Sequence, residues 1–178
     1  LVVLKGGSQE EEQEFLGEIT TLYTVALFAM YALIAVAFRS YWLPLLVMTA
    51  IPFGFMGAIY GHLLFGTPLA LFSYFGIGAA AGVVVNDNLV LIDYVGRLRR
   101  EGLSPVRALL DAGVNRFRPI LLTTVTTFVG LLPIMAERST NAQFLKPAVL
   151  SLSFGVLFAL FVTLLLVPAL YLVGEDCR

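Results

Sequence analysis

Residues 78–100 read GAAAGVVVNDNLVLIDYVGRLRR. The stretch is long and apolar enough to cross a bilayer, yet Asn86, Asp87 and Asn88 stand together near its middle. Asp93 follows about two turns later. An ionisable group at membrane depth costs about 2.5–3.5 kcal/mol on insertion scales. Asp87 therefore needs a partner, a proton or a water-filled path.

The composition around this stretch sets the class. Of 178 residues, 59% are hydrophobic and 13% charged, and the mean hydropathy is +0.91. A soluble domain would be roughly a quarter charged, so most of this chain belongs in lipid. The single cysteine, Cys177, excludes a disulfide framework, and with the single histidine it excludes a metal site of the usual ligands. No cofactor is implied. A net charge of -1 without a basic stripe interleaved with aromatics argues against a nucleic-acid partner. The acidic start LVVLKGGSQEEEQEF is not a signal peptide, and the chain, beginning without Met, reads as part of a longer one.

The expected architecture is an all-α membrane protein, a five-transmembrane-helix bundle. Leu1–Leu4 is a short β-prone run that suits the last strand of a preceding domain, and Ser8 with Glu11 has capping-box spacing for a helix leading into the first span. Residues 1–18 are thus read as a domain end and linker helix. The spans are expected at about 19–38, 43–65, 69–95, 120–136 and 144–173, within a membrane domain over 19–173 and before a tail over 174–178. Pro52 predicts a kink in the second span. Gly57 with Gly61, and Gly78 with Gly82, are GxxxG pairs that permit close helix approach. Between the third and fourth spans, the polar interval 97–118 is expected to hold a short amphipathic surface helix. It starts at Ser104-Pro105 and buries Val106, Leu109, Leu110 and Gly113.

Five spans place the chain ends on opposite sides. Eight of the basic residues (Arg39, Arg97, Arg99, Arg100, Arg107, Arg116, Arg118 and Arg178) fall on one side, and Lys5, Arg138 and Lys146 on the other. The positive-inside rule then predicts a cytoplasmic C-terminus and 97–118 interval, with the N-terminus outside.

Residues seven apart share a helix face. Gly78, Gly82, Asn86 and Asp93 belong to one such side of the third span, and Arg116, Thr123, Gly130 and Glu137 form one line on the fourth. Small-and-polar faces of this kind are expected to pack inside a bundle, setting Asn86 and Asp87 near Thr123 and Thr127 with Arg116 below. Carboxylate, amide and hydroxyl groups at that depth mark proton or ion pathways. Structural roles compete: Asp87 can bond a neighbouring helix, Asp93 can pair with Arg97 at i,i+4, threonines can bond their own i−4 carbonyls, and Arg116 can be an anchor. His62 is expected to be an interfacial or packing histidine. No HExxH, GxSxG or P-loop occurs.

GVVVNDNLVLIDYVGRLRREGLSPVRALLDAGVNRFRPILLTTVTTFVGLLPI, flanked by FRSYWLPLLVMTAIPFGFMGAIYGHLLFGTPL and VPALYLVGED, closely resembles the resistance-nodulation-division (RND) efflux transporters, most of all their hydrophobe/amphiphile subfamily. The resemblance implies the second half of a twelve-helix membrane domain, attached to periplasmic porter domains. It implies a proton antiporter of the bacterial inner membrane, working as a homotrimer with a periplasmic adaptor and an outer-membrane channel. Its proton relay would draw on Thr123 and Arg116, with an acidic pair supplied by first-half helices. Asn86 stands where well-known members carry a lysine, and Asp87 follows it. Coupling through Asp87, or a different handling of charge, is then implied. A non-transporting membrane scaffold, or a relative in protein secretion or sterol sensing, is the rival reading.

Overall fold

In hydrocarbon every backbone N–H and C=O must be bonded within its own segment, and helices achieve this. The computed structural model describes the backbone of residues 2–137 and 139–176 and the side chains of 13–137, 139 and 142–174. Among the described residues it is helical nearly throughout and has no strand. The helices are α1 Val2–Phe38, α2 Trp42–Met48, α3 Ile51–Phe65, α4 Leu71–Arg100, α5 Pro105–Ala136 and α6 Thr140–Asp176. Taking α2 and α3 as one broken span, five segments among the described residues are long and apolar enough to cross a membrane: Gln13–Phe38, Trp42–Phe65, Leu71–Arg100, Pro105–Ala136 and Ala142–Gly174. The chain is an all-α membrane helix bundle. Leu1, Arg138, Cys177 and Arg178 lie outside the described residues.

The chain divides into two compact units, Leu1–Leu45 and Leu46–Arg178. In the first, α1 runs unbroken from Val2. The backbone of the β-prone residues Val2–Leu4 is therefore helical rather than extended, and the helix begins before Ser8 rather than at it. A strand that short has no ladder partner among the described residues, whereas a helix satisfies its own backbone. Arg39 ends α1 in the left-handed region, φ 50°, and the N–H groups of Arg39 and Ser40 bond the Val36 and Ala35 carbonyls.

In the second unit α6 is the hub, packing on α3, α4 and α5. Small residues allow this. A Cβ on Gly57 would lie 2.5 Å from both the Phe154 carbonyl oxygen and the Phe158 Cβ, and one on Gly61 would lie 2.7 Å from the Phe154 ring. Gly155 faces Ala80 and Gly54, so α3, α4 and α6 meet at three small residues. Gly76, which the sequence reading passed over, abuts the Ala148 carbonyl. Around these contacts Phe154 packs edge-on to Phe65 and Phe128, with ring centroids 5.8 and 5.6 Å away.

The breaks follow residue chemistry. Pro52 has no N–H to give the Met48 carbonyl, and the helix is interrupted over Thr49-Ala50, where the kink was expected. Gly66 (φ 59°) ends α3 by donating to Leu63, while Thr67 donates to His62 at 3.0 Å. Gly102 (φ 93°) turns α4 back into α5, with Leu103 N–H bonding the Leu98 carbonyl at 3.2 Å. α5 begins at Pro105 behind Ser104. The separate amphipathic surface helix does not exist, because its residues are the first turns of α5, continuous through Ala136. A stop near residue 118 would orphan backbone groups that continuation keeps bonded. Its buried face is Ala108, Leu109 and Ala112, whereas Val106 and Leu110 are exposed.

Candidate functional site

α4 has two unlike sides. Ser73, Gly76, Ala80, Val84, Asn88, Leu91 and Val95 are buried at helical spacing. Gly82 and Asn86 are exposed, and Asp87 and Asp93 are half-buried at the edge. The line expected inside the bundle thus runs along the open side of this chain. A Cβ on Gly82 would meet nothing within 4 Å, so Gly82 makes no close packing contact among the described residues. Gly78 is half-buried.

α5 repeats the pattern. Ile120, Thr124 and Met135 are buried, whereas Thr123, Thr126 and Gly130 are exposed and Arg116 and Thr127 half-buried. Thr123 Oγ1 donates to the Ile120 carbonyl at 2.9 Å, and Thr126 Oγ1 to Leu122 at 2.7 Å. These hydroxyls bond their own helix, as threonines in lipid often do.

One contact fixes how the two helices stand beside each other. The Arg116 guanidinium carbon lies 5.0 Å from the Tyr94 ring centroid, a cation–π pair between α5 and α4. α4 and α5 are antiparallel neighbours joined by the short Glu101–Ser104 turn. Stepping seven residues up each helix from this pair, about 10.5 Å, keeps the same faces and reaches Asp87 and Thr123. By ideal helix spacing alone the two fall at about one level, roughly 24 Å along α4 from Leu71, with Arg116 two turns below. Tyr94 was not singled out from the sequence; its place one residue past Asp93 is the signal that was there.

The remaining polar groups have local explanations. Asp93 Oδ2 accepts from Arg97 Nε and Nη2 at 3.2 and 2.8 Å, an exposed i,i+4 ion pair of little energetic weight. Among the described residues none forms a hydrogen bond or ion pair with the Asp87 carboxylate or the Asn86 amide. Instead it is Asn88, fully buried, whose Nδ2 donates to the Val47 carbonyl at 3.2 Å. His62 is 4% exposed, and its Nε2 lies 2.7 Å from Ser73 Oγ, which also accepts the Ala70 N–H at 3.0 Å. His62 therefore pins the end of α3 to the start of α4 and is a packing histidine. No group of three or more His, Cys, Asp and Glu placed to hold a metal occurs among the described residues.

Comparison with known proteins shows the family to which the fold belongs. The chain is 30% identical over 173 residues to the multidrug resistance protein MdtC of Proteus mirabilis (strain HI4320), covering 97% of this chain and 17% of that protein. It thus spans about a sixth of the relative's length. Two crystal forms of a heavy metal efflux pump superpose with TM-scores of 0.79 and 0.85, at 25% and 24% identity. Each covers 94% of this chain, which in turn spans 16% and 17% of those chains. A family model described as the AcrB/AcrD/AcrF family matches residues 3–175. With the match running almost end to end, the chain belongs to the AcrB/AcrD/AcrF family of RND transporters.

Proposed function

We propose that this chain is the second-half membrane domain of a proton-driven efflux permease of the bacterial inner membrane, and that the α4–α5 seam is its share of the proton relay. In this reading Asp87 carries the proton, Asn86 and Thr123 exchange hydrogen bonds as it arrives, and Arg116, held against Tyr94, stands below them on α5. Asp93 and Thr127 flank the path. The observation that supports this most is a half-buried carboxylate with no hydrogen-bond or ion-pair partner among the described residues, next to the exposed Asn86. Facing lipid, that side would be costly; facing polar first-half helices, it gains partners.

The same reading assigns the other parts. Helices of the first half carrying an acidic pair would cover Gly82 and Asn86, which need small neighbours to approach closely. Porter domains, a homotrimeric assembly, a periplasmic adaptor and an outer-membrane channel would complete the export route. Arg97, Arg99, Arg100 and Arg107 gather around the α4–α5 turn, which favours placing that turn and the C-terminus in the cytoplasm and the N-terminus in the periplasm. The substrate is an amphiphile or drug, and the coupling ion is the proton.

The test is efflux by the full-length permease in cells, with protein level measured in the membrane. Efflux should stop when a protonophore collapses the gradient. Thr123→Ala should lower the efflux rate roughly fivefold at unchanged protein level, the loss of about one hydrogen bond's net worth. Efflux that persists without a proton gradient, or a Thr123→Ala rate equal to wild type, contradicts the respective parts of the proposal.

A further inference from the structure

The break between α2 and α3 leaves a question of backbone satisfaction. Pro52 cannot donate to Met48, and the ladder is interrupted over Thr49-Ala50 inside an apolar span. Local groups re-satisfy part of it: Thr49 Oγ1 donates to the Leu46 carbonyl at 2.6 Å, and the N–H groups of Phe53 and Gly54 share the Ala50 carbonyl at 3.2 Å each. The Val47 carbonyl is served from another helix, by Nδ2 of Asn88 at 3.2 Å. Both residues are 0% exposed. Ala50, beside the break, is itself packed against Val84 of α4 and Ala159 of α6. The amide therefore crosses from α4 into the wall of small apolar residues where the three helices meet.

Asn88 directly follows Asp87, and one residue on a helix is about 100° of rotation. Whatever fixes the Asn88 side chain against Val47 also fixes the rotation of α4 at Asp87, and so which way the carboxylate looks. We propose that Asn88 is a positioning residue: its amide clamps the proline-broken span against α4 and thereby holds Asn86 and Asp87 on the open seam. The bond is needed because Pro52 breaks the ladder, which couples the two residues across 36 positions of sequence. This inference rests on the relay reading of Asp87 only for its consequence in transport. The clamp itself stands on the bond and the break.

The experiment uses the full-length permease carrying Asn88→Ala, Pro52→Ala, the pair of both, and Asp87→Asn in parallel. Backbone hydrogen exchange over residues 46–53 is measured together with the external-pH profile of efflux at matched membrane level. Asn88→Ala should speed exchange across the break by about threefold or more, and move the pH midpoint of efflux, as loss of a coupled contact would. An N–H restored at position 52 lets the ladder close, so both effects should shrink to within about a factor of 1.5 in the Pro52→Ala background. Unchanged exchange in Asn88→Ala overturns the clamp. Faster exchange with an unmoved pH midpoint, where Asp87→Asn does abolish the pH response, overturns the positioning role. If Asp87→Asn itself leaves the pH response intact, the relay reading fails, and the exchange data still decide the clamp. Should Asn88→Ala not accumulate in the membrane, the double variant must; a double variant that also fails overturns the inference.

Discussion

Asp87→Asn in the full-length permease is expected to abolish proton-coupled efflux, lowering it about 10²-fold or more, the scale on which removal of a positioned proton-transfer group acts. The substitution keeps the shape of the side chain and removes only its ability to gain and lose a proton. Asp87 makes no hydrogen bond or ion pair with the described residues, so folding loses nothing by the change. Neutralisation relieves the burial cost of a carboxylate, so the variant should reach the membrane at wild-type level or above. Asp87→Glu, which retains the titratable group on a longer stem, should keep a measurable fraction of activity. Wild-type drug resistance in Asp87→Asn would remove Asp87 from the mechanism. The contrast with Asp93 is built into the same helix. Asp93 already has Arg97 at 2.8 Å, and Asp93→Asn should change efflux far less.

The second large effect is structural. Gly57→Leu should prevent accumulation of folded protein, because even a Cβ at this position falls 2.5 Å from a backbone carbonyl of α6. Overpacking ordinarily costs about 1–3 kcal/mol, when side chains can give way. Here the obstacle includes the backbone oxygen of Phe154 and the Gly155 Cα at 3.1 Å, so α3 and α6 would have to separate along the contact they share. In a membrane the helices associate through close packing rather than a hydrophobic drive, and separation forfeits most of what holds them. The expected readout is loss of the detergent-solubilised, size-exclusion-homogeneous permease, with Gly96→Ala, where a Cβ would meet nothing within 4 Å, as the neutral contrast. A stable, active Gly57→Leu protein would show that α3 does not pack on α6 in this way.

Much of the fold was legible because hydropathy and breakers act locally. The five spans, the kink at Pro52 and the helix start at Pro105 each follow from a few adjacent residues. The fate of the polar interval was not. Whether residues 105–118 form their own helix or the foot of α5 depends on the cost of orphaning backbone groups, which no periodicity reports. Val2–Leu4, expected as a strand, is helical in this structure for a related reason, since a β-prone run is only a strand if a partner lies beside it.

At the site, spacing grouped residues that share helix faces but misplaced their environment. Gly82, Asn86, Thr123 and Gly130 do share faces, yet the bundle buries the opposite ones, lined by Ser73, Ala80, Val84 and Asn88 on α4 and Ile120 and Thr124 on α5. A small-and-polar stripe says that something packs closely there without saying whether the partner is in the same chain. In the cluster of Asn86, Asp87 and Asn88, three adjacent polar residues point in three directions. Only the bond to Val47 reveals that the third is buried against the broken span, while the first is exposed and the second half-buried.

The most direct test reconstitutes the full-length permease, wild type and Asp87→Asn, in proteoliposomes carrying a pH-sensitive dye, and follows internal pH when a transported drug is added. The account predicts drug-dependent proton movement in the wild type and none in Asp87→Asn at equal incorporation. Equal proton movement in both would contradict it.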